Sequence, residues 1–269
     1  MSVLATVPDV DSLTAPVLLD VRWRLGRSDG REQYLAGHIP GAVFVDLEAE
    51  LAAPPSAGEG RHPLPDIADL QAAARRWGVH AGDAVVAYDD NAGQAAARAW
   101  WLLRWAGVAD VRILDGGLAA WRTAGLPLAT GEETTEQGDV VLAAGHLATV
   151  GIDDVADVPV LLDARAAERY RGEVEPVDPR AGHIPGARSA PTASNLLPDS
   201  RFRPASELRE HYAGLGAVPG ADVAVYCGSG VTAAHDIAAL AIAGVDAALF
   251  PGSWSQWCGD PARPAATGA

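Results

Sequence analysis

The sequence predicts an α/β protein of two tandem domains, each with a short, mainly parallel sheet and helices on both faces. Its 269 residues are nearly twice a typical single-domain length, so each half is long enough to bury a core of its own. In both halves, short and fully apolar segments alternate with stretches of helical period, which is typical of parallel sheets buried on both sides. A series of sequence landmarks also occurs twice.

The repeated landmarks indicate a tandem duplication. The pentapeptide His-Ile-Pro-Gly-Ala occurs at residues 38–42 and again at 183–187. Three further landmarks accompany each copy in the same order: residues 17–20 match 160–163, residues 85–88 match 223–226, and Gly116 and Trp121 match Gly252 and Trp257. We therefore predict an amino-terminal domain over residues 1–128, a polar linker over 129–146 and a carboxy-terminal domain over 147–269.

The same periodicity predicts the individual strands and helices. The strand candidates are residues 17–21, 43–46, 84–88 and 111–114 in the first half, and 159–163, 222–226 and 247–250 in the second. The clearest helix candidates are residues 67–77, 93–106, 207–213 and 231–243. The carboxyl ends of parallel strands share one edge of a sheet, and α/β proteins bind their ligands at that edge.

Charge and composition exclude several functions. With 35 acidic against 20 basic residues, the formal net charge is −15, so neither nucleic acid nor a membrane is expected as a partner. All 20 basic residues are Arg, which excludes chemistry that requires lysine, such as Schiff-base formation. The first 11 residues do not resemble a signal peptide, no apolar stretch is long enough to span a bilayer, and there are only two cysteines, Cys227 and Cys258. A cytoplasmic location is therefore expected.

The strongest chemical signal is the segment Cys-Gly-Ser-Gly-Val-Thr-Ala at residues 227–233. It lies between a strand candidate and a helix candidate, where backbone N–H groups at a helix start attract anions. The two glycines allow successive N–H groups to converge, and the helix dipole adds positive potential. Both effects favour the thiolate of Cys227 over the thiol. We therefore predict a nucleophile, the alternative being an inert buried cysteine.

The duplicated pentapeptide and this loop together resemble the two-domain rhodanese sulfurtransferases, and the loop is most similar to that of the 3-mercaptopyruvate sulfurtransferases. The resemblance covers essentially the whole chain. It implies two rhodanese-like domains, no cofactor or metal, and transfer of a sulfane sulfur from a small anionic donor through a persulfide on Cys227. The acceptor would be cyanide or a thiol such as thioredoxin. The loop residues that would bind the substrate are Gly228, Gly230, Val231 and Thr232.

The resemblance also separates the two halves. When Tyr88 is aligned on Tyr226, Asp89 takes the position of Cys227 in the first repeat. A carboxylate cannot carry sulfur, so the amino-terminal domain is expected to be catalytically silent, as it is in the family.

The choice of donor depends on the residues after the cysteine. Thiosulfate-preferring relatives carry two basic residues there, whereas this chain has Gly228 and Ser229. This favours 3-mercaptopyruvate, with a thiosulfate:cyanide sulfurtransferase as the main alternative. By resemblance, Ser229 would relay a proton with His62 and Asp46. From the sequence alone, His62 could instead be a surface histidine and Asp46 a helix cap.

Arginine suits a substrate carboxylate because its planar group bonds both oxygens at once. By resemblance, Arg169 is one substrate arginine. The loop before the second pentapeptide is shorter than in the family, and Arg180 is the nearest candidate for a second one. The other arginines between residues 163 and 188 are expected to be solvated or paired with acidic neighbours.

The sequence argues against two other functions. A phosphatase of this fold would need Arg at position 233, where the chain has Ala. A non-catalytic binding module is a further alternative, and a reactive Cys227 argues against it.

The histidines of the pentapeptide, His38 and His183, are expected to be structural. Trp254 and Trp257 are expected in the core, although one of them could wall the substrate pocket.

Overall fold

The computed structural model describes residues 2–56 and 58–269. The chain divides into two compact units, which we call unit 1 and unit 2. Unit 1 comprises Met1–Ala53, Pro65–Leu147 and Asp199–Arg201, and unit 2 comprises Pro54–Leu64, Ala148–Pro198 and Phe202–Ala269. The segment Pro54–Leu64 therefore packs with the second half of the chain although it lies in the first half of the sequence.

Unit 1 contains a five-stranded, entirely parallel sheet in the order β1-β5-β4-β2-β3. Its strands are β1 (Leu4–Ala5), β2 (Val17–Asp20), β3 (Val43–Phe44), β4 (Ala84–Tyr88) and β5 (Asp110–Leu114). Its helices are α1 (Val7–Ser12), α2 (Gly30–Ala36), α3 (Leu47–Glu50), α4 (Ile67–Arg76), α5 (Gln94–Trp105) and α6 (Gly117–Thr123). The central strand β4 is apolar along its length and buried from Val85 onward, as expected of a parallel strand covered by helices.

Unit 2 contains a four-stranded parallel sheet in the order β7-β6-β8-β9. Its strands are β6 (Val160–Asp163), β7 (Arg188–Ser189), β8 (Val223–Tyr226) and β9 (Ala248–Leu249). Its α-helices are α7 (Ala167–Tyr170), α8 (Ala205–Gly214), α9 (Ala233–Ala243) and α10 (Ser253–Gly259), and two 3₁₀ helices cover Val155–Asp157 and Thr192–Asn195. None of the helices in the described ranges has the length and apolar composition needed to cross a membrane.

The two sheets have the same strand order, except that the described residues of unit 2 form no counterpart of β1. A single parallel bridge between Thr149 and Leu249 stands where β1 pairs with β5 in unit 1. The predicted α/β class with a duplicated parallel sheet is confirmed. The sequence pattern does not predict β1 and β7, which have only two residues each, whereas the equally short β3 and β9 lie inside predicted segments.

The repeated pentapeptide has the same structural part in both units. His38 and His183 are buried, and the Nδ1 atom of each hydrogen bonds to a backbone carbonyl of the preceding helix, at 2.9 and 2.8 Å. The next residue donates its N–H to the hydroxyl of Tyr88 in unit 1 and of Tyr226 in unit 2, in both cases at 3.1 Å. Each tyrosine ends a central strand, so the pentapeptide is tied to the strand end from which the candidate site begins.

The stretch predicted as a linker lies along unit 1. Residues 130–146 form neither a helix nor a strand. The N–H of Gly138 donates to the carbonyl of Arg75 at 2.8 Å, and the N–H of Val140 donates to the carbonyl of Val79 at 3.2 Å. These bonds hold the stretch against the end of α4, so it belongs to unit 1 as packed structure.

Candidate functional site

Cys227 follows β8 directly and opens the loop of residues 227–232 that leads into α9. Its Sγ accepts the backbone N–H of Gly230 at 3.1 Å. Gly230 has a φ of +80°, a backbone conformation that favours a residue without a Cβ, and this turn directs its N–H back to the sulfur. A hydrogen bond from an N–H stabilises the thiolate form of a cysteine. Cys227 itself is buried, with 1% of its surface exposed.

The first turn of α10 holds this loop in place. The N–H of Cys227 donates to the Ser253 hydroxyl at 3.1 Å. In return, the N–H of Trp254 donates to the carbonyl of Cys227 and the N–H of Ser255 to the carbonyl of Gly228, both at 2.9 Å. The free N–H groups at a helix start need acceptors, and here the loop supplies them. The loop and the start of α10 therefore position each other.

The segment Pro54–Leu64 docks on α10. The N–H of Arg61 donates to the Ser255 hydroxyl at 3.1 Å, and the Gln256 side chain donates to the carbonyl of Gly58 at 2.6 Å. Between them, Gly60 has a φ of +91°, and a Cβ there would lie 2.7 Å from both the Gly252 carbonyl oxygen and the Ser255 hydroxyl oxygen. Only glycine permits this close approach, which brings the residues after Gly60 to the loop of Cys227.

His62 is one of those residues. Its Nδ1 lies 2.7 Å from the Oγ of Ser229, and both residues are only 6% exposed. The structure thus brings together two of the side chains that the resemblance implies for proton transfer. A short hydrogen bond between a hydroxyl and an imidazole is the arrangement in which a histidine can take up or return the hydroxyl proton.

Asp46, the third residue implied for proton transfer, lies in unit 1 and is the N-cap of α3. Its carboxylate accepts the N–H groups of Glu48 at 3.0 Å and Ala49 at 3.2 Å. This is the helix-cap arrangement that the sequence also allowed. A part for Asp46 in proton transfer stays a prediction.

Two arginine side chains cover the loop at Gly228. A Cβ on Gly228 would lie 2.9 Å from Nη2 of Arg61, and 3.5 and 3.8 Å from Nη1 and Nη2 of Arg169. The nearest groups around the residue after Cys227 are therefore guanidinium cations carried on long, flexible side chains. Arginine is suited to bind an anionic group at this place because its N–H groups match a carboxylate.

Two buried acidic side chains bind the same arginines. The Asp178 carboxylate pairs with Arg61 and, at 3.2 Å, with Nη2 of Arg169, and Glu175 accepts from Nη2 of Arg169 at 2.7 Å. Burial raises the pKa of Asp178, although Arg61 beside it acts in the opposite direction. Burial also acts to raise the pKa of Glu175, but the hydrogen bonds from the N–H of Asp178, from Arg169 and from the N–H of Val177 hold it below its usual range.

Arg180 lies elsewhere in unit 2. Its guanidinium donates to three backbone carbonyls at and beyond the end of α10, those of Arg263 at 2.8 Å, Asp260 at 3.3 Å and Trp257 at 3.4 Å. These bonds satisfy carbonyls at a helix end, which lack partners within the helix. Substrate binding by Arg180 stays a prediction, whereas the arginine beside Arg169 at Gly228 is Arg61. The sequence analysis missed Arg61, and its one signal was its position next to His62.

The remaining loop residues lead into α9. Val231 is buried, and Thr232 is the N-cap of α9, with its carbonyl accepting the N–H of His235 at 3.1 Å. No contact within the described residues tests their predicted binding of substrate, which therefore stays a prediction.

The residues of α10 that the sequence singled out belong to the core of unit 2. Trp254 and Trp257 are buried, and their indole N–H groups donate to the carbonyls of Arg180 at 2.9 Å and Pro264 at 2.7 Å. Cys258 is buried in the same cluster. Burial and, after it, the charge of Asp178 raise the pKa of the Cys258 thiol to about 11. Cys258 is therefore protonated at neutral pH, when a thiol is a poor nucleophile.

Asp89 stands in unit 1 where Cys227 stands in unit 2, directly after the central strand. Its buried carboxylate accepts four backbone N–H groups from the following loop and helix, those of Asn91, Gly93 and Ala95 at 2.8 Å and Ala96 at 3.0 Å. Burial raises the pKa of Asp89, and the four N–H donors oppose this rise because they bind the ionised form. The converging N–H groups of unit 1 are thus occupied by a side chain of the chain itself, one that cannot carry sulfur.

Comparison with protein families decides the class of the protein. Residues 9–124 and 150–260 each match the rhodanese-like domain. The chain belongs to the rhodanese-like family. The two matched ranges contain strands β2–β5 of unit 1 and all four strands of unit 2, so the rhodanese-like domain occurs here in tandem.

Curated relatives share this tandem arrangement over most of their length. A Mycobacterium tuberculosis protein named as a thiosulfate sulfurtransferase, SseB, is 52% identical over 257 residues, which are 93% of this chain and 90% of that protein. A Pseudomonas aeruginosa protein named as a 3-mercaptopyruvate sulfurtransferase is 48% identical and matches 94% of this chain and 92% of its own. The rhodanese-like chain is a sulfurtransferase.

Solved structures agree with this assignment. The 3-mercaptopyruvate sulfurtransferase from Leishmania major superposes with a TM-score of 0.86 at 30% identity, over 96% of this chain and 74% of the Leishmania chain. SseA from Escherichia coli, a 3-mercaptopyruvate sulfurtransferase, superposes with a TM-score of 0.81 at 34% identity and covers 95% of this chain and 100% of its own.

The carboxylate of Asp89 is expected to stabilise unit 1. In Asp89→Asn, one oxygen becomes an NH₂ group that cannot accept, so two buried N–H groups lose their partner and the free energy of unfolding falls by about 3 kcal/mol. Urea unfolding followed by circular dichroism measures this loss. The matched control is Asp90→Asn, because Asp90 is partly exposed and pairs with the exposed side chain of Arg24. Equal stability of Asp89→Asn and the control would contradict the assigned role.

Proposed function

We propose that this sulfurtransferase takes a sulfur atom from 3-mercaptopyruvate onto Cys227 and passes it, as a persulfide, to a thiol or to cyanide. The observation that carries the proposal is the surroundings of Cys227. The sulfur accepts the N–H of Gly230, and two guanidinium groups lie beside Gly228, the residue after Cys227. The hydroxyl of Ser229, two residues after Cys227, pairs with the imidazole of His62. Nucleophile, anion recognition and proton transfer are thus supplied within unit 2.

The first half-reaction moves the sulfur atom to the enzyme. The Cys227 thiolate attacks the sulfur of the donor and forms an S–S bond. The carbon–sulfur bond of the donor breaks, and its electron pair leaves on carbon as the enolate of pyruvate. The proton of the donor thiol passes through Ser229 and His62 to the enolate carbon, which gives pyruvate and a Cys227 persulfide anion. N–H groups of the loop stabilise this anion.

The second half-reaction returns the enzyme to its starting state. The thiolate of an acceptor attacks the outer sulfur of the persulfide, the S–S bond breaks, and its electron pair returns to Cys227 as the thiolate. When cyanide is the acceptor, it attacks the same outer sulfur and leaves as thiocyanate. We propose a thiol such as thioredoxin, or cyanide, as the acceptor, and the cytoplasm as the location because thiols are kept reduced there.

The choice of donor depends on the pair of Ser229 and His62. Mercaptopyruvate must lose a thiol proton and its enolate must gain one, so it requires a proton path. Thiosulfate is already a dianion, and transfer of its outer sulfur releases sulfite without proton transfer. Ser229 and His62 would therefore not be needed for this donor. The distance of 2.7 Å between the two side chains supports mercaptopyruvate.

Thiosulfate is the second candidate donor. Two cations at Gly228 also suit a dianion. The relatives do not decide either: the thiosulfate sulfurtransferase of Mycobacterium tuberculosis is 52% identical to this chain, and the 3-mercaptopyruvate sulfurtransferase of Pseudomonas aeruginosa is 48% identical. The names of relatives therefore leave the donor open, and the experiments below are designed to separate the two.

Arg61 and Arg169 are the residues that we propose for binding the anionic group of the donor. Both reach the residue next to the nucleophile, and both belong to unit 2. Arg180, which the sequence favoured for the second arginine, has its guanidinium engaged by carbonyls beyond α10.

Persulfide formation tests the proposed function directly. Wild-type protein incubated with 3-mercaptopyruvate and freed of small molecules is expected to gain the mass of one sulfur atom, and dithiothreitol should remove it. Cys227→Ser should gain nothing and show no turnover. The control Cys258→Ser should gain the sulfur as wild type does. Sulfur on Cys258, or turnover by Cys227→Ser, would show that the nucleophile is misassigned.

The proton path is tested by comparing donors. Ser229→Ala is expected to lower kcat/KM for 3-mercaptopyruvate about 100-fold, the usual size of a proton-transfer contribution, and to change kcat/KM for thiosulfate only slightly. Steady-state rates on both donors measure the difference. Ser206→Ala, a change at an exposed serine of α8, serves as the control. Equal losses on both donors would remove the proton-transfer role of Ser229.

A further inference from the structure

We propose that Asp178 determines the donor preference of this enzyme, by holding both substrate arginines and by cancelling part of their charge. The inference rests on the proposed function, because it concerns the site that would receive the donor. Asp178 would act on donor preference through the two arginines, without taking part in the proton path.

The geometry gives Asp178 two partners at once. One carboxylate oxygen pairs with Nη1 of Arg61, and the other with Nη2 of Arg169 at 3.2 Å. At the missing Cβ of Gly228, the nearest atoms are Nη2 of Arg61, followed by Nη1 and Nη2 of Arg169. Each guanidinium therefore pairs with Asp178 and also lies beside the residue next to the nucleophile. Asp178 is the shared support that aims both arginines.

Burial makes this charge effective. The side chain of Asp178 is only 2% exposed, and the two guanidinium groups on its two oxygens bind the ionised carboxylate. Solvent and salt screen a buried charge much less than an exposed one. The carboxylate therefore lowers the positive potential that a donor meets at Gly228.

The balance of charges points to a monoanionic donor. The arginines Arg61, Arg169 and Arg165 contribute three positive charges. Their carboxylate partners contribute three negative ones, from Asp178, Glu175 and Asp163. A cluster without net charge can bind a carboxylate through directed N–H groups, but it gives a dianion no additional attraction. At neutral pH, 3-mercaptopyruvate carries one negative charge with its thiol protonated, whereas thiosulfate carries two.

Removing the charge of Asp178 should therefore favour thiosulfate. Any gain in positive potential acts twice on a dianion and once on a monoanion. For Asp178→Asn, which keeps the shape of the side chain, we expect the ratio of kcat/KM for thiosulfate to kcat/KM for 3-mercaptopyruvate to rise about tenfold. Most of the rise should come from a lower KM for thiosulfate, because the charge acts on binding.

Two further variants separate charge from structure. Asp178→Glu restores the carboxylate and should return the ratio to the wild-type value, even if overall activity falls. Glu173→Gln makes the same change in net charge at an exposed residue that pairs with Arg171, and it should leave the ratio unchanged. An unchanged or lower ratio in Asp178→Asn, or a raised ratio in Asp178→Glu or Glu173→Gln, would overturn the inference.

Failure of the proposed function is visible separately. If wild-type protein takes no sulfur from 3-mercaptopyruvate but takes it from thiosulfate, the proposed donor is wrong, while KM for thiosulfate in Asp178→Asn still tests the effect of the charge. If Asp178→Asn does not fold, Asp178→Glu and the dependence of the wild-type ratio on ionic strength test it instead. Salt should change the ratio less than twofold, because the charges around Gly228 cancel, and a steep fall in the ratio with salt would contradict this balance.

Discussion

Backbone N–H groups that converge after the central strand of each sheet are the interaction on which the rest of the structure depends. In unit 1 they hold the carboxylate of Asp89 with four hydrogen bonds. In unit 2 the corresponding position is Cys227, whose sulfur accepts the N–H of Gly230. Backbone N–H groups thus bind the side chain that follows the central strand in both units. In unit 1 this side chain is a carboxylate that cannot carry sulfur, and in unit 2 it is a thiol.

The site around Cys227 depends on a segment from the other half of the sequence. Gly60 lets Pro54–Leu64 approach the start of α10, and this contact delivers Arg61 and His62 to the loop. The start of α10 also fixes the loop carbonyls. A piece of the first half of the sequence therefore belongs to the packed structure around Cys227.

Much of this arrangement could be predicted from the sequence, because it rests on local pattern. The apolar pattern predicts the buried strands, the repeated pentapeptide predicts the duplication, and the glycines after Cys227 predict its position between a strand and a helix. The partners of the arginines could not be predicted. Arg180 turns to carbonyls beyond α10, and Arg61 reaches Gly228, because tertiary packing rather than sequence spacing decides which segment lies over the loop. The two-residue strand β7 consists of Arg188 and Ser189, so it has no apolar pattern from which to predict it.

Cys227 is expected to be the reactive cysteine of the chain, and Cys258 provides an internal reference for it. Burial raises the pKa of Cys258 to about 11, so this thiol reacts slowly in neutral solution. Iodoacetamide added in small excess at neutral pH, followed by peptide mapping over time, compares the two directly. The account predicts alkylation of Cys227 well before Cys258. Equal labelling of the two cysteines, labelling of Cys258 first, or no labelling of Cys227 until strongly alkaline pH would contradict it.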